Sequence, residues 1–389
     1  MVKTVAILFL ITLLPIFGRT APLKEGTAVR ISWLKNIVEF SSDDILYKPV
    51  GGAVFVSNAP ETINEEGTVL SDGSVVTSQY NNTLYRDYME GTFRFWASHY
   101  NQTNQQLKFW FVAKNVTSEK IEIFRTLAAY AQGAITSAAS LATVEFMQSS
   151  CKNELLGSLM PGETLYFQYS DLVPEGLAMV YIGEFMAKNL AGEDAKIEVS
   201  NVVTTDDILD PTEFIKANQI ARTNATKTQS DDYRGTLKHW GREGIISLRL
   251  SNFFTSWGVS IGDRGYIGEQ ENLISRWNIY GEPIEPSQVR FTIATIAKIR
   301  QAYWFIDYEI DITIVNKSSF EDFQCFYGSA GYNPGFVNYQ INSNPVINKH
   351  FAKEEAVLIS LEKNFRLRTM VMPSASLPLV LYFVTGQKN

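Results

Sequence analysis

Residues 303–315 read Tyr-Trp-Phe-Ile-Asp-Tyr-Glu-Ile-Asp-Ile-Thr-Ile-Val, and this stretch decides the fold class. From Ile306 to Ile314, an apolar or aromatic side chain alternates with a polar one at every position. Successive side chains of a strand point to opposite faces of its sheet. The alternation therefore predicts a strand with one buried face and one solvated face.

Similar runs recur along most of the chain. The further strand candidates are Thr92–His99, Leu107–Val112, Thr164–Tyr169, Ala178–Phe185, Lys196–Val203, Gly244–Leu250, Ala356–Glu362, Phe365–Met372 and Leu377–Val384. The first two flank a polar connection rich in Asn and Gln, which predicts a hairpin. Short strands separated by Gly, Pro, Asn and Asp are typical of antiparallel sandwiches rather than of βαβ units.

One segment departs from this pattern. Residues 126–150 are rich in alanine, carry few charges and place Leu127, Ala131, Ala134 and Ala138 at helical spacing. We expect an Ala-rich helix near 126–150 that packs on the first domain; a membrane-active or partner-binding helix is the alternative.

The alternating pattern lapses between residues 204 and 232, where Asp, Asn, Thr, Gln and Lys predominate. We place a linker there. The predicted fold is therefore all-β, with two antiparallel β-sandwich-like domains. The N-terminal domain covers 19–203 and includes the helix, and the C-terminal domain covers 233–389.

Residues 1–18 have the pattern of a secretory signal peptide. Lys3 precedes an apolar run that is too short to span a bilayer comfortably, and small residues follow it. We predict cleavage after Gly18 and a secreted or cell-surface location, with no transmembrane anchor after removal of the signal. An uncleaved N-terminal anchor is the alternative.

Five Asn-x-Ser/Thr sequons suit the surface turns of an exported glycoprotein. Whether they carry glycans depends on the source organism. They begin at Asn81, Asn101, Asn115, Asn224 and Asn316.

The composition argues against several functions. The net charge of −7 disfavours a nucleic-acid partner. With two Cys and three His in the chain, a thiolate zinc cluster is excluded and little remains for a histidine metal site. The sequence contains no local nucleophile motif, and we assign no catalytic residues. A Ser–His–Asp site assembled in space is the alternative.

Short phrases along the chain carry a family resemblance. They include Gly52–Phe55, Phe93–Trp96 running through the polar turn into Leu107–Asn115, Met160–Glu163, Tyr233–Thr236, Asn278–Gly281 and Met372–Pro378. In their order, the chain resembles a group of exported Firmicute-type proteins of uncharacterised function. A copper-amine-oxidase N-terminal-like domain often accompanies these proteins, and it has no counterpart in this sequence. The resemblance implies an exported, two-part β protein of the cell envelope and transfers no catalytic residues. The chain departs from the pattern around residues 329–336.

Three tryptophans are candidates for carbohydrate binding, because a flat aromatic ring complements the C–H face of a sugar. Trp240, Trp257 and Trp277 lie in less periodic stretches and are the ones we expect to be exposed. Burial in a core is the alternative for each of them.

Two further groups are weaker candidates. Asp206, Asp207 and Asp210 could gather oxygen ligands around calcium, although Asp207 or Asp210 could instead cap a short helix that starts at Pro211. The other group is the cysteine pair Cys151 and Cys325. These residues could form a disulfide in an oxidising exterior, or they could be two separately buried thiols.

Taken together, the sequence predicts a non-catalytic exported protein that acts through contacts with other envelope proteins or with itself, as a surface-layer or accessory subunit. A carbohydrate-binding adhesin with a polysaccharide partner is the first alternative. A hydrolase is the second. Apart from calcium, no cofactor is expected.

Overall fold

A computed structural model describes residues 23–30, 37–40, 46–58, 61–65, 68–69, 75–76, 79–215, 233–250, 256–261, 273–277, 283–284, 306–316, 322–329, 335–352, 355–371 and 379–386. The predicted signal, residues 1–18, and residues 216–232 of the predicted linker lie outside this part of the chain.

Strands make up most of the described residues. The described residues also include one α-helix, α1 (Ile135–Gln148), and a short 3-10 turn, Pro211–Phe214. The strands in chain order are β1 (Ala28–Arg30), β2 (Ile37–Phe40), β3 (Leu46–Val50), β4 (Ala53–Asn58), β5 (Thr62–Ile63), β6 (Thr68–Val69), β7 (Val75–Val76), β8 (Asn82–Glu90), β9 (Thr92–Asn101), β10 (Leu107–Asn115), β11 (Ile121–Gly133), β12 (Glu154–Leu159), β13 (Thr164–Gln168), β14 (Ala178–Asn189), β15 (Lys196–Thr205), β16 (Tyr233–Leu237), β17 (Gly241–Leu250), β18 (Ser256–Ser260), β19 (Leu273–Trp277), β20 (Pro283–Ile284), β21 (Asp307–Asn316), β22 (Asp322–Ser329), β23 (Gly335–Ile341), β24 (Ile347–Phe351), β25 (Glu355–Ser360), β26 (Asn364–Met370) and β27 (Leu379–Gly386).

Four large sheets form two sandwiches. In the first sandwich, a four-stranded sheet of order β13-β10-β15-β8 packs on a nine-stranded sheet of order β12-β11-β14-β9-β4-β16-β19-β20, to which β5 is attached through β9. The second sandwich combines the β21 sheet, of order β24-β23-β26-β21-β17-β3, with the β27 sheet, of order β1-β25-β22-β27-β18-β2. The all-β prediction is confirmed. Three of the four large sheets are mixed, since β4–β9, β17–β21 and β18–β2 are parallel pairs, whereas the described pairs of the four-stranded sheet are all antiparallel.

The core of the first sandwich is aromatic. Phe95 of β9 lies 5.2 Å from Phe111 of β10 between ring centroids, in an edge-to-face contact across the two sheets. These two strands therefore face each other and do not pair. The predicted hairpin is wrong, because β9 pairs with β14 and β4 whereas β10 pairs with β13 and β15.

The helix is shorter than predicted. Residues 121–133 form strand β11, and α1 begins only at Ile135. Both faces of β11 are covered, since Ala129 and Ala131 pack toward α1 while Ala128 and Tyr130 pack in the first core. A strand with small apolar residues on both faces loses the period-2 signal, which is why its sequence resembled a helix.

The helix lies between the two sandwiches. Ala138, Ala139 and Ala142 of α1 share a core cluster with residues on the outer face of the nine-stranded sheet. On the side of the β21 sheet, the amide nitrogen of Asn338 donates to the carbonyl oxygen of Ser140 at 3.1 Å. The expected packing of the helix on the first domain is observed, and the helix also contacts the second sandwich.

Strand β21 has the buried face that its alternating pattern predicts. In β21, Tyr308, Ile310, Ile312 and Ile314 are buried in the core of the second sandwich. On the opposite face Asp311 and Thr313 are exposed as predicted, whereas the prediction is wrong for Asp307, which is 7% exposed because it pairs with Arg368.

The sheets are not built from consecutive halves of the chain. β1 and β3 belong to 19–203 but pair in the sheets of the second sandwich. β16 belongs to 233–389 but extends the nine-stranded sheet of the first sandwich through β4. The predicted linker is also partly structured, because Phe214 and Ile215 pack on the outer face of the four-stranded sheet. A polar stretch marks a connection and does not tell which sheet follows it.

Candidate functional site

Trp240 connects the two sandwiches. Its backbone N–H donates to the carbonyl oxygen of Gly52 at 3.0 Å, and its own carbonyl oxygen accepts from the N–H of Asp307 at 2.9 Å. The Trp240 ring packs so closely on Gly51 that a Cβ at this glycine would lie 2.3 Å from ring atoms. We call this region the junction, defined by Trp240, Arg94, Glu184, Asp307 and Arg368.

The junction buries an ion pair. A guanidinium nitrogen of Arg94 on β9 lies 2.8 Å from a carboxylate oxygen of Glu184 on β14, and the Arg94 side chain is 2% exposed. The guanidinium also lies over the rings of Phe146 and Trp240, at 4.8 and 5.2 Å from the centroids. Its Nη1 has no hydrogen-bond partner among the described residues. Such a charge is stable in the interior only while its counter-ion is present.

A second set of charges lines the facing surface of the β21 sheet. Arg368 on β26 binds Asp307 on β21 at 2.7 Å. The nearby Asp307 and Glu309 carboxylates, together with Glu184 across the junction, outweigh burial and raise the pKa of Arg368. Farther out, Arg366 pairs with Asp311 at 2.7 Å, where both side chains are exposed. These pairs form a row of opposite charges between β21 and β26, within one sheet of the second sandwich.

A polar group lies inside the first sandwich. Ser57 Oγ lies 3.3 Å from His99 Nε2, and the amide nitrogen of Asn201 lies 3.0 Å from the same imidazole nitrogen. Tyr169 donates its hydroxyl proton to Asn201 Oδ1 at 2.7 Å. Ser57, His99 and Asn201 have no exposed surface or almost none. This group links the two sheets and satisfies polar atoms in a dry core.

One side of the first sandwich carries exposed apolar side chains. We call it the open edge, defined as β12, the turn 160–163 and β13. Leu155 of β12 and Met160 of the turn are both 51% exposed, and Tyr166 of β13 is 38% exposed. The Tyr166 ring lies edge-on to Trp110 at 6.1 Å.

Among the described strands, β13 pairs only on the side that faces β10. Two backbone hydrogen bonds mark the ends of its ladder with β10. At one end the Tyr169 N–H donates to the carbonyl oxygen of Phe109, and at the other the Asn115 N–H donates to the carbonyl oxygen of Glu163. In an antiparallel ladder the backbone groups of alternate residues face the partner. The N–H and C=O groups of Thr164, Tyr166 and Gln168 therefore point away from β10, and within the described ranges no strand pairs with them.

β13 is also unusual in sequence. The four large sheets have eight terminal strands among the described residues. The seven other than β13 each carry a charged residue or a proline. Such residues disfavour pairing with a further strand. The blocking residues are Arg30 of β1, Glu39 of β2, Lys48 and Pro49 of β3, Arg86, Asp87 and Glu90 of β8, Glu154 of β12, Pro283 of β20 and Lys349 of β24. β13 reads Thr-Leu-Tyr-Phe-Gln and has none.

The structure places the predicted tryptophans as follows. Trp240 is half-buried and packs between Gly51, Gly52 and Arg94, so its ring is a structural contact rather than an open platform. Trp257 and Trp277 lie on strands β18 and β19, and their side chains are outside the described part of the structure.

The three aspartates have separate partners. Asp206 pairs with Lys108 at 3.1 Å. Asp207 accepts from Thr205 Oγ1 at 2.5 Å, and Asp210 caps the 3-10 turn by accepting from the Thr212 N–H at 2.9 Å. The bonds from Thr212 lower the pKa of Asp210. The capping alternative is correct for Asp210. Among the residues that the structure describes, no three metal-binding side chains cluster.

The possible disulfide between Cys151 and Cys325 is not formed. Both cysteines are free thiols, with Cys151 exposed just after α1 and Cys325 buried in the core of the second sandwich. Burial raises the pKa of the Cys325 thiol well above its usual value. The alternative of two buried thiols is correct for Cys325 alone.

Two of the sequons are structural turns. Asn101 and Asn115 are 0% and 1% exposed. In each, the amide oxygen accepts from the N–H and the hydroxyl of the Thr two residues later, while the amide nitrogen donates to two carbonyl oxygens. These Asn nitrogens are not available to a glycan in the folded chain. Asn224 lies outside the described residues.

Comparisons with known proteins give no identity. No family model matches the chain, and no curated protein matches it. One solved structure that aligns with it is the tandem CBM22-1-CBM22-2 domain of Xyn10C from Paenibacillus barcinonensis, 9% identical over 95% of this chain and 93% of that chain, with a TM-score of 0.16. Another is the 11S allergen of Cocos nucifera, 9% identical over 83% and 90%, with a TM-score of 0.15. Scores this low carry no argument about function.

Helices give one further result. Within the described ranges, α1 and any other helical segment are too short or too polar to cross a membrane.

Sequence reasoning missed the main functional candidate. The 164–168 segment was predicted as a strand, but its position at the end of a sheet follows only from the topology. Its lack of charge was the signal available in the sequence.

Proposed function

We propose that this chain is a non-catalytic exported protein of the cell envelope or cell surface. In this proposal it acts through protein–protein contacts, as a surface-layer or accessory subunit. The observation that carries the proposal is the open edge, where β13 is uncharged, has no strand partner on its outer side within the described ranges, and carries the 38% exposed Tyr166. A strand with these properties accepts a strand from a partner.

The interior of the first sandwich supports the non-catalytic part of the proposal. Ser57 and His99 are the residue types of a nucleophile and its base, yet both are fully buried between two sheets. The amide nitrogen of Asn201 donates to Ser57 Oγ at 2.9 Å and lies 3.0 Å from His99 Nε2. A substrate would have to separate the sheets to reach them.

Export is tested by the fate of residues 1–18. The full chain, expressed with its own N-terminus in a secreting host, is expected outside the cytoplasm as a polypeptide that begins at Arg19. Intact-mass spectrometry of the recovered protein measures this. A cytoplasmic product that retains residues 1–18 would contradict export.

Contact through the open edge is tested by binding. The exported chain is expected to associate with itself or to sediment with cell envelopes of its source. Tyr166→Lys should lower that association at least tenfold. Tyr88→Lys is the matched control, because Tyr88 is an exposed tyrosine, 53% accessible, on β8 at the other end of the same sheet. A chain that shows neither association, or an association that both variants leave unchanged, would overturn the proposal.

A further inference from the structure

We propose that the occupant of the open edge is a second copy of this chain, which pairs its β13 antiparallel to the first across a twofold axis at Tyr166. This inference rests on the proposed function and names its partner. The two four-stranded sheets would then form one continuous sheet.

The backbone of β13 is self-complementary. The outward-facing residues Thr164, Tyr166 and Gln168 are symmetric about Tyr166. In an antiparallel pair centred there, Tyr166 lies opposite Tyr166 of the second copy. Thr164 of each copy lies opposite Gln168 of the other, so there are three facing pairs. Each pair exchanges two N–H to C=O bonds, about six bonds in all. A centre at Leu165 or Phe167 would place only two of these three residues opposite each other within β13, and the two strands would form about four such bonds instead of six.

The side chains fit the same register. Thr164 and Gln168 are polar, uncharged and exposed, and the two Tyr166 rings would meet at the axis. Facing aromatic side chains stabilise antiparallel pairs. Lys114 lies next to Thr164 on β10, which is one strand farther from the axis, so the lysines of the two copies are not opposed.

The choice of a second copy follows from charge. Like charges that lie opposite each other across a twofold axis repel, and β13 places none there. Among the described terminal strands of the four large sheets, β13 is the one without charge or proline, whereas β8 at the other end of the sheet carries Arg86, Asp87 and Glu90. A strand from an unlike protein would gain no charge complementarity from β13.

The test measures the mass of the exported full chain by sedimentation equilibrium from about 1 to about 200 µM. The wild type is expected to form a dimer. Tyr166→Lys places two ammonium groups opposite each other at the axis and should raise the dimer dissociation constant at least 100-fold. Tyr88→Lys should leave it unchanged within about twofold.

Two double variants test the register. Thr164→Lys with Gln168→Glu places opposite charges across the axis, so the dimer should persist and weaken with added salt. Thr164→Lys with Gln168→Lys places like charges at both positions, so the dimer should be lost. If both double variants behave alike, the proposed register is wrong.

The outcomes separate this inference from the proposed function. A wild type that stays monomeric at 200 µM, or a dimer that Tyr166→Lys leaves intact, overturns the second-copy proposal. If the monomer still binds cell envelopes and Tyr166→Lys releases it, contact through the open edge stands with a different partner. Circular dichroism of each variant confirms that the fold is retained.

Discussion

Two arginine–glutamate pairs of nearly the same geometry lie on the nine-stranded sheet in opposite surroundings. At the junction, Arg94 and Glu184 are 2.8 Å apart and 2% and 14% exposed. Beside the open edge, Arg125 of β11 and Glu154 of β12 are 2.7 Å apart and 30% and 56% exposed. At the junction, the charges are buried and the two sandwiches already contact each other. Near the open edge, the ion pair is exposed and lies beside exposed apolar side chains.

The largest effect is expected from breaking the buried pair. Glu184→Ala leaves the Arg94 guanidinium without its counter-ion in the interior and should lower the free energy of unfolding by about 3 to 5 kcal/mol. Glu154→Ala removes the exposed counterpart and should cost at most about 1 kcal/mol. Urea unfolding of both variants measures the contrast. Equal losses would show that the junction is not a dry interface.

Alkaline pH should destabilise the core beside the exposed Arg125–Glu154 pair. Burial raises the pKa of Tyr181 to about 12, although the neighbouring Arg125 opposes the shift. Because the folded pKa lies above the unfolded value of 10, this stabilisation is complete below pH 10 and is lost as the pH rises from 10 through 12. Between pH 8 and pH 11.5 the wild type should lose about 2 kcal/mol more than Tyr181→Phe. Identical losses in the two proteins would contradict the raised pKa.

Two glycines extend the comparison to the backbone. Gly51 at the junction and Gly162 at the open edge both have positive φ, +80° and +82°. A Cβ at Gly51 would meet the Trp240 ring at 2.3 Å, whereas a Cβ at Gly162 would meet nothing within 4 Å. Gly51→Ala should therefore cost about 1 to 2 kcal/mol more than Gly162→Ala. Thermal unfolding of both variants tests this, and a larger loss for Gly162→Ala would contradict the described packing.

The smallest effect on stability is expected at the proposed contact itself. Tyr166→Lys changes an exposed side chain and should alter the unfolding free energy of the dilute monomer by no more than about 0.5 kcal/mol. Tyr88→Lys should behave alike. A loss above 2 kcal/mol for Tyr166→Lys would mean that this ring belongs to the core, and its effect on association would then have no simple interpretation.

The strands could be predicted from the sequence because each alternation is local. The period-2 pattern of residues 306–314 assigns Tyr308, Ile310, Ile312 and Ile314 to the buried face of β21, but it does not show that Asp307 on the other face is buried too. Pairing is a different matter, since the same pattern fits a strand that pairs with its neighbour and one that faces it. That is why Phe95 and Phe111 contact each other across the sandwich instead of lying in one sheet.

The functional candidates were less accessible to sequence reasoning. Arg94 and Glu184 are 90 residues apart, so nothing local indicates that they form a buried pair. The three aspartates looked like one group because they are close in sequence, yet each has its own partner. An edge strand is defined by the strands that are missing beside it, and only the topology shows this for β13.

Amide hydrogen exchange of β13 tests the central claim most directly. In dilute monomer, the N–H groups of Thr164, Tyr166 and Gln168 should exchange fast while those of Leu165 and Phe167 are protected by β10. At concentrations where the chain associates, the three fast amides should slow at least tenfold. Five slow amides in the dilute monomer, or three amides that stay fast in the associated protein, would show that β13 is not the contact strand.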